Sequence, residues 1–169
     1  MSLILTGNSS TLTVDSTSGI TFPNETNQAV AAQTGPAFYA YVGSDQSISS
    51  GAFTKIQFNT EVFDTNNNFD STTNYRFTPT VAGYYQFNIC TYYNGSPTRM
   101  LLAIYKNGSS YLRVYDGNVG GYISSGSGLV YMNGSTDYVE GYCYVTGTSL
   151  AISGNSQYSF FQGFLARAA

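Results

Sequence analysis

The sequence predicts an all-β sandwich or barrel, and three observations carry that prediction. From Ala37 onward, short apolar runs recur about every ten residues, separated by clusters of Gly, Asn, Asp and Ser. The 3.6-residue apolar period of a helix appears nowhere in the chain. Two of the connections, around Asn107-Gly108 and Asn133-Gly134, carry the Asn-Gly pair that supplies the positive φ of tight hairpins. A length of 169 residues fits one domain with a short appendage, since a core of this size buries roughly 70 % of the unfolded chain's surface.

Composition narrows the function classes. Charged residues are 9 % of the chain, against about 25 % in an ordinary soluble domain, and Gly, Ser, Thr and Asn supply the polarity instead. The net charge of −3 gives no basic footprint for nucleic acid. The opening residues MSLILTGNSS hold no basic side chain and no long apolar run, so they read as neither a signal peptide nor a membrane span. The expectation is assembly in a cytoplasm, with Cys90 and Cys143 as two buried thiols and a disulfide as the alternative.

Residues 1–35 differ from the rest. They carry one early apolar patch and then Ser, Thr, Asn and Gln with scattered Val and Ile, too little apolar surface for a core of their own. They read as an extended arm with short strands at 12–14 and 20–22.

Residues 36–169 form the head. Its strand candidates, each a run of β-branched and aromatic residues closed by turn formers, are 37–42, 53–58, 75–78, 84–93, 99–106, 110–116, 128–132, 137–145 and 158–166. Residues 75–93 alone place seven aromatic rings in nineteen positions. Within 84–89 the period of two puts Tyr85, Phe87 and Ile89 on one side and Gln86 and Asn88 on the other. The runs RMLLAIYK (99–106) and YSFFQGFLA (158–166) are apolar on both faces, which a sheet with one wet side would not tolerate. With no helix to cover the second face, another copy of the same sheet is the expected cover.

These residues resemble the globular head of complement C1q, which shares its ten-strand jelly-roll with tumour necrosis factor. The family signature runs Phe, five residues, Asn or Asp, four residues, an aromatic, six residues, Phe, five residues, then Gly-x-Tyr-x-Phe-x-aromatic. Phe58, Asp64 and Phe69 fall in register, Phe77 comes one residue late, and Gly83, Tyr85 and Phe87 fall in register after it, with Ile89 at the last aromatic position. AFYAYV at 37–42 and FFQGFL at 160–165 look like the family's first and closing strands. The resemblance covers residues 36–166 and implies a homotrimeric jelly-roll, with Phe161 and Leu165 facing the threefold axis, Tyr122 near it, and Gln86 and Asn88 lining it as a partly polar seam. The arm segment GITFPNETNQAVAA resembles a Gly-Ile-x-Phe-Pro-Asp-Gly-Thr-x-Gln segment near the N-termini of bacteriophage tail-fibre and virion proteins, with Asn24 and Glu25 in place of Asp-Gly.

Candidate chemistry is sparse. The chain has no histidine, so His-dependent triads and His zinc sites are excluded. The carboxylates Glu61, Asp64, Asp70, Asp116, Asp137 and Glu140 show no paired spacing of a glycosidase, and Ser96 and Ser127 lack an activating base. The reading is therefore non-enzymatic, without catalytic residues, cofactor or dedicated metal site. Calcium between Asp64 and Asp70 is the one ion considered, although DTNNNFD lacks the spaced acids of a calcium loop. Tyr85 reads as core; Tyr39, Tyr41, Tyr84, Tyr92, Tyr93, Tyr122 and Tyr142 read as subunit packing ahead of glycan contact.

The functional expectation is a bacteriophage virion protein. Its arm docks to other virion proteins, and its trimeric head acts as a fibre or spike tip on a host-surface glycan. Ligand contact is expected from the loops 43–49, 64–74, 94–98 and 116–124 at one outer end. The alternative is a capsid or tail decoration protein, and the third reading is a bacterial lectin-like module.

Overall fold

A computed structural model describes residues 35–118 and 121–169 in full, together with the backbone of 20–21 and 27–28. The chain divides into two units, Met1–Thr34 and Gly35–Ala169. In the first, β1 (Ile20–Thr21) pairs antiparallel with β2 (Asn27–Gln28), Ile20 opposite Gln28. The strand expected at 12–14 lies outside the described residues.

The second unit is all strand and turn. Its strands are β3 (Ala37–Tyr41), β4 (Gln46–Ser47), β5 (Ala52–Lys55), β6 (Thr60–Asp64), β7 (Phe69–Asp70), β8 (Arg76–Phe77), β9 (Ala82–Lys106), β10 (Ser109–Asn118), β11 (Ile123–Asn133), β12 (Val139–Ile152) and β13 (Phe160–Ala168). Every pairing is antiparallel, and two layers result. The first is β6-β3-β13-β9-β11, using residues 82–92 of β9. The second is β10-β9-β12, using residues 93–106 of β9, with β4, β5 and β8 along the far side of β12 and β7 beyond β8.

The 25-residue β9 explains how two layers share one strand. NGSPT at 94–98 reads in sequence as a turn, yet it carries the chain from one sheet to the other while still pairing with β12, through two register shifts. Gly95 makes this crossing possible: it takes φ 93°, and a Cβ there would lie 2.3 Å from the Ser149 carbonyl oxygen.

Between the layers lies an aromatic core. Phe38, Phe58, Phe69, Phe77, Tyr85, Phe87 and Phe161 are all buried, with Phe38 stacked 4.5 Å from Phe77 and 4.8 Å from Phe69. The signature residues Phe58, Phe69, Phe77, Tyr85 and Phe87 thus all serve packing. Gly83 admits Leu165 and the β13 backbone at the first-sheet edge of this core, where a Cβ would lie 2.4 Å from the Arg167 carbonyl oxygen. Inward Tyr85, Phe87 and Ile89, with outward Gln86 and Asn88, follow the period of two.

Two expectations about facing are corrected here. Phe161 has 0 % exposure among Phe38, Phe58 and Phe87, and Leu165 packs partly buried against the same core. Neither is free to face a neighbouring copy; Phe160, Gln162 and Phe164 occupy the outward positions of β13. The second correction concerns RMLLAIYK. Leu101 and Ala103 are on the outer side of the second sheet but are 3 % and 0 % exposed. Their cover is the chain's own lattice: Tyr144 and Asp116 flank Leu101, Tyr142 and Arg113 flank Ala103, and Tyr105 stacks on Tyr142 at 3.9 Å.

Candidate functional site: one outer face and two loop ends

Strand direction sorts the loops. β3 and residues 82–93 of β9 run parallel to one another, both antiparallel to β13, so Val42, Asn94, Ser153 to Ser159 and Tyr122 gather at one end of the sandwich. That far end is tied by Asp45, whose carboxylate accepts from Asn94 Nδ2 at 2.9 Å and from Gly154 N at 2.8 Å. Tyr122 is half exposed and stacks on Tyr92 at 5.8 Å, and Tyr158 lies 5.8 Å from Tyr92 on another side. Tyr93, expected among the less constrained tyrosines, is instead fully buried.

The loop 64–74 belongs to the opposite end, which corrects its expected grouping with 43–49, 94–98 and 116–124. β6 runs antiparallel to β3, so Asp64 sits opposite Phe38 at the end where the chain enters the head at Gly35. Thr65 confirms the position, since its N–H donates to the Ala37 carbonyl at 3.0 Å.

This near-end loop holds its carboxylates internally. Asp64 accepts from Asn66 N at 3.2 Å and Phe69 N at 2.6 Å. Asp70 accepts from Thr72 N and Oγ1, Thr73 N, and Asn74 N and Nδ2, at 2.6 to 3.2 Å. Above all the Thr73 N–H, with the Asn74 and Thr72 donors, pulls the Asp70 carboxyl well below the usual range. Both acids therefore act as turn caps, and a calcium ion would have to displace these donors.

The outer face of the first sheet gathers several exposed apolar and aromatic side chains. Rows across it read Tyr41-Phe160-Cys90-Ser125, then Phe63-Tyr39-Gln162-Asn88-Ser127, then Phe164-Gln86-Leu129, then Tyr84-Tyr131. Phe63, Tyr84, Leu129, Tyr131 and Phe164 are each 41 to 55 % exposed. An amide and hydroxyl stripe of Gln86, Asn88, Gln162, Ser125 and Ser127 runs through this apolar surround. Cys90 lies half-buried in the stripe, where burial raises its thiol pKa, while Cys143 sits in the core with its pKa pushed up to about 12 by burial.

The two antiparallel layers, with an aromatic core between them, make this a jelly-roll of the kind that C1q domains adopt. The chain belongs to the C1q domain family, whose model matches residues 37–166. Among solved structures, murine APRIL is similar at TM-score 0.59 and 9 % identity, over 78 % of this chain and 98 % of that one. The globular domain of zebrafish complement 1qA is similar at TM-score 0.51 and 21 % identity, over 80 % of this chain and 99 % of that one. The vertex protein P5 of PRD1 is similar at TM-score 0.54 and 16 % identity, over 78 % of this chain and 71 % of that one. These likenesses establish a fold. No curated protein sequence matches the chain significantly.

Sequence reasoning found the face through Gln86 and Asn88 but missed Phe160, Gln162 and Phe164. The signal was present in Gly163, which alternation places on the same side as Phe161. A Cβ on Gly163 would fall 2.4 Å from the Phe87 ring, so that side is the packed one.

Proposed function

We propose that this chain is a non-enzymatic bacteriophage virion protein whose heads assemble as a homotrimer and adhere to a host-surface glycan at a fibre or spike tip. The carrying observation is the outer face of the first sheet. Five large apolar or aromatic side chains, each at least two-fifths exposed, surround a stripe of neutral amides and hydroxyls. Burying that surface between copies removes apolar area from water at roughly 25 cal/mol per Å², while the stripe is paired or bridged by water at the seam. The virion assignment draws support from the arm's Gly-Ile-x-Phe-Pro segment and from the likeness to the PRD1 vertex protein.

Residues 1–35 attach the head to other virion proteins, by adding short strands to a partner's sheet edge. Three heads on one axis multiply a weak single-site affinity through effective concentration. The test is binding of the purified full chain to host cells and to host envelope polysaccharide. Retention by the polysaccharide is expected, and its absence would overturn the adhesion reading. A second reading, decoration of the capsid or tail, draws support from the likeness to the PRD1 vertex protein. Counting copies per particle separates them: a few trimers at the tail favour adhesion, and many over the shell favour decoration.

A further inference from the structure

On the flank of the sandwich, between edge strand β6 and the β7–β8 pair, lies an open concavity of about 600 Å³. Its volume falls inside the roughly 300–1,000 Å³ range of small-ligand sites, yet its lining is polar where such sites are ordinarily apolar. Glu61 forms one wall, and Asn68, Asp70, Thr72, Arg76 and Thr78 supply the others.

Three of these side chains have hydrogen-bonding capacity that the described residues leave unused. Asn68 is 8 % exposed; its Nδ2 donates to the Asn66 carbonyl at 3.2 Å, but its Oδ1 is buried with no partner. Buried acceptors are almost always paired; this one is sealed beneath the surface, so the groups open to a ligand are those of Arg76 and Glu61. Arg76 lies with its guanidinium carbon 4.3 Å from the Tyr138 ring centroid. Stacking occupies the face of a guanidinium and leaves its in-plane N–H groups free, and among the described residues no carboxylate pairs with it. Glu61 likewise enters no ion pair among the described residues.

The charges of the wall decide the ligand class. A divalent cation would meet the Arg76 guanidinium and would find Asp70 already filled by its own five donors. An anion would meet the carboxylates of Glu61 and Asp70. A neutral polyol suits both, because a hydroxyl can accept from Arg76 and donate to Glu61. The loop is also held in shape before any ligand arrives: Asn67 and Tyr75 take φ of 54° and 50°, and the Asp70 cap fixes the turn between them. Such a loop loses little freedom on binding.

We propose that this concavity binds one neutral sugar residue of a glycan. The proposal deepens and rests on the adhesion reading, and it moves the contact from the far-end loops to the flank near Gly35. The experiment uses the full chain and two probes. The first is a panel of glucose, galactose, mannose and N-acetylglucosamine, followed by saturation-transfer and chemical-shift NMR. The second is purified host envelope polysaccharide in a retention assay.

At least one sugar is expected to shift resonances of residues 67–78, and Arg76→Gln and Glu61→Gln are each expected to weaken that sugar by about tenfold or more. Light scattering and thermal melting should be unchanged in both variants. Shortening 43–49 should leave sugar binding intact. Polysaccharide retained equally by wild type and both variants would overturn the site while leaving adhesion standing. Sugar shifts at 67–78 with no polysaccharide retained would support the site and overturn adhesion. Shifts at 67–78 with calcium chloride but with no sugar would overturn the ligand class, and a change of oligomeric mass in Arg76→Gln would reassign the concavity to subunit contact.

Discussion

Asp137 shows how single side chains hold the near end together. Its carboxylate accepts from Asn107 Nδ2 at 2.8 Å, pairs with Lys106 Nζ at 2.8 Å and accepts from Asn133 N at 3.0 Å, so one residue joins both Asn-Gly hairpins. Burial pushes its pKa up, but those hydrogen bonds and the Lys106 charge outweigh burial and hold the pKa below the usual carboxylate value. A carboxyl lowered on folding adds stability that is complete above its unfolded pKa of about 3.9 and is lost as pH falls through the lower folded value. Asp70 acts in the same direction. Stability is therefore expected to stay flat from about pH 5 to 8, with no histidine to titrate, and to fall below about pH 4. Asp137→Asn should be less stable at pH 7 and should show a shallower acid loss, read as urea midpoints across pH. A midpoint that falls as steeply in the variant as in wild type would remove Asp137 from this account. A buried triangle at the other end depends on the same satisfaction of polar groups: Thr91 Oγ1 lies 2.7 Å from the Tyr93 hydroxyl and 2.9 Å from Ser124 Oγ, and the latter two are 3.1 Å apart. Ser124→Ala removes one vertex and should cost about 1–3 kcal/mol in urea unfolding.

At the scale of elements, what was legible in the sequence depended on run length and parity. The long strands of the head were visible because their apolar residues alternate over six or more positions, as at 84–89. β4, β6 and β7 were not, since two to five residues such as Gln46–Ser47 or Thr60–Asp64 are too short to show a period and owe their pairing to β12, β3 and β8. The continuity of β9 was hidden because Gly95 and Pro97 read as turn formers, whereas Asn94, Ser96 and Pro97 pair with β12 and Gly95 falls at a register shift between the first two. The concavity was invisible because it joins residues 61 and 76–78 from different sheets. The expected facing of Phe161 and Leu165 rests on the family resemblance, and adjacent aromatics such as Phe160-Phe161 satisfy either parity, so alternation alone does not reverse it. The two residues make a direct test. Phe161→Ala should cost about 3–5 kcal/mol in unfolding of the head, as expected for an emptied aromatic core site. Phe160→Ala should cost far less within one copy and should act on assembly instead. Equal losses from both variants in monomer unfolding would contradict the assigned parity.

At the scale of the whole molecule, the two sheets have complementary exteriors. The second covers its own apolar strand: Arg99 engages Asp116 in a bidentate pair at 3.0 to 3.1 Å, and Tyr142 and Tyr105 stack beside it. Phe53 and Tyr111 of the second sheet are also exposed, but the first carries five large exposed side chains on one face, so assembly is expected through the first sheet. The polar stripe makes that prediction specific, because amides at a seam tolerate a neighbour's amide but not a repeated charge. Asn88→Arg would bring like charges together around a threefold axis and strand them from water, which costs far more than the lost amide contact. Light scattering at micromolar concentration should give three times the 18.2 kDa chain mass for wild type and the single-chain mass for Asn88→Arg, with the variant's far-ultraviolet spectrum unchanged. Cys90 supplies an independent readout, since it sits in the same stripe between Phe160 and Ser125. Assembly should shield it from a thiol reagent in the wild type and expose it in Asn88→Arg, whereas buried Cys143 should stay unreactive in both until the chain is unfolded. A wild-type protein that is monomeric and labels rapidly at Cys90 would mean that the first sheet is covered by something other than a second copy, and the trimer would have to be given up.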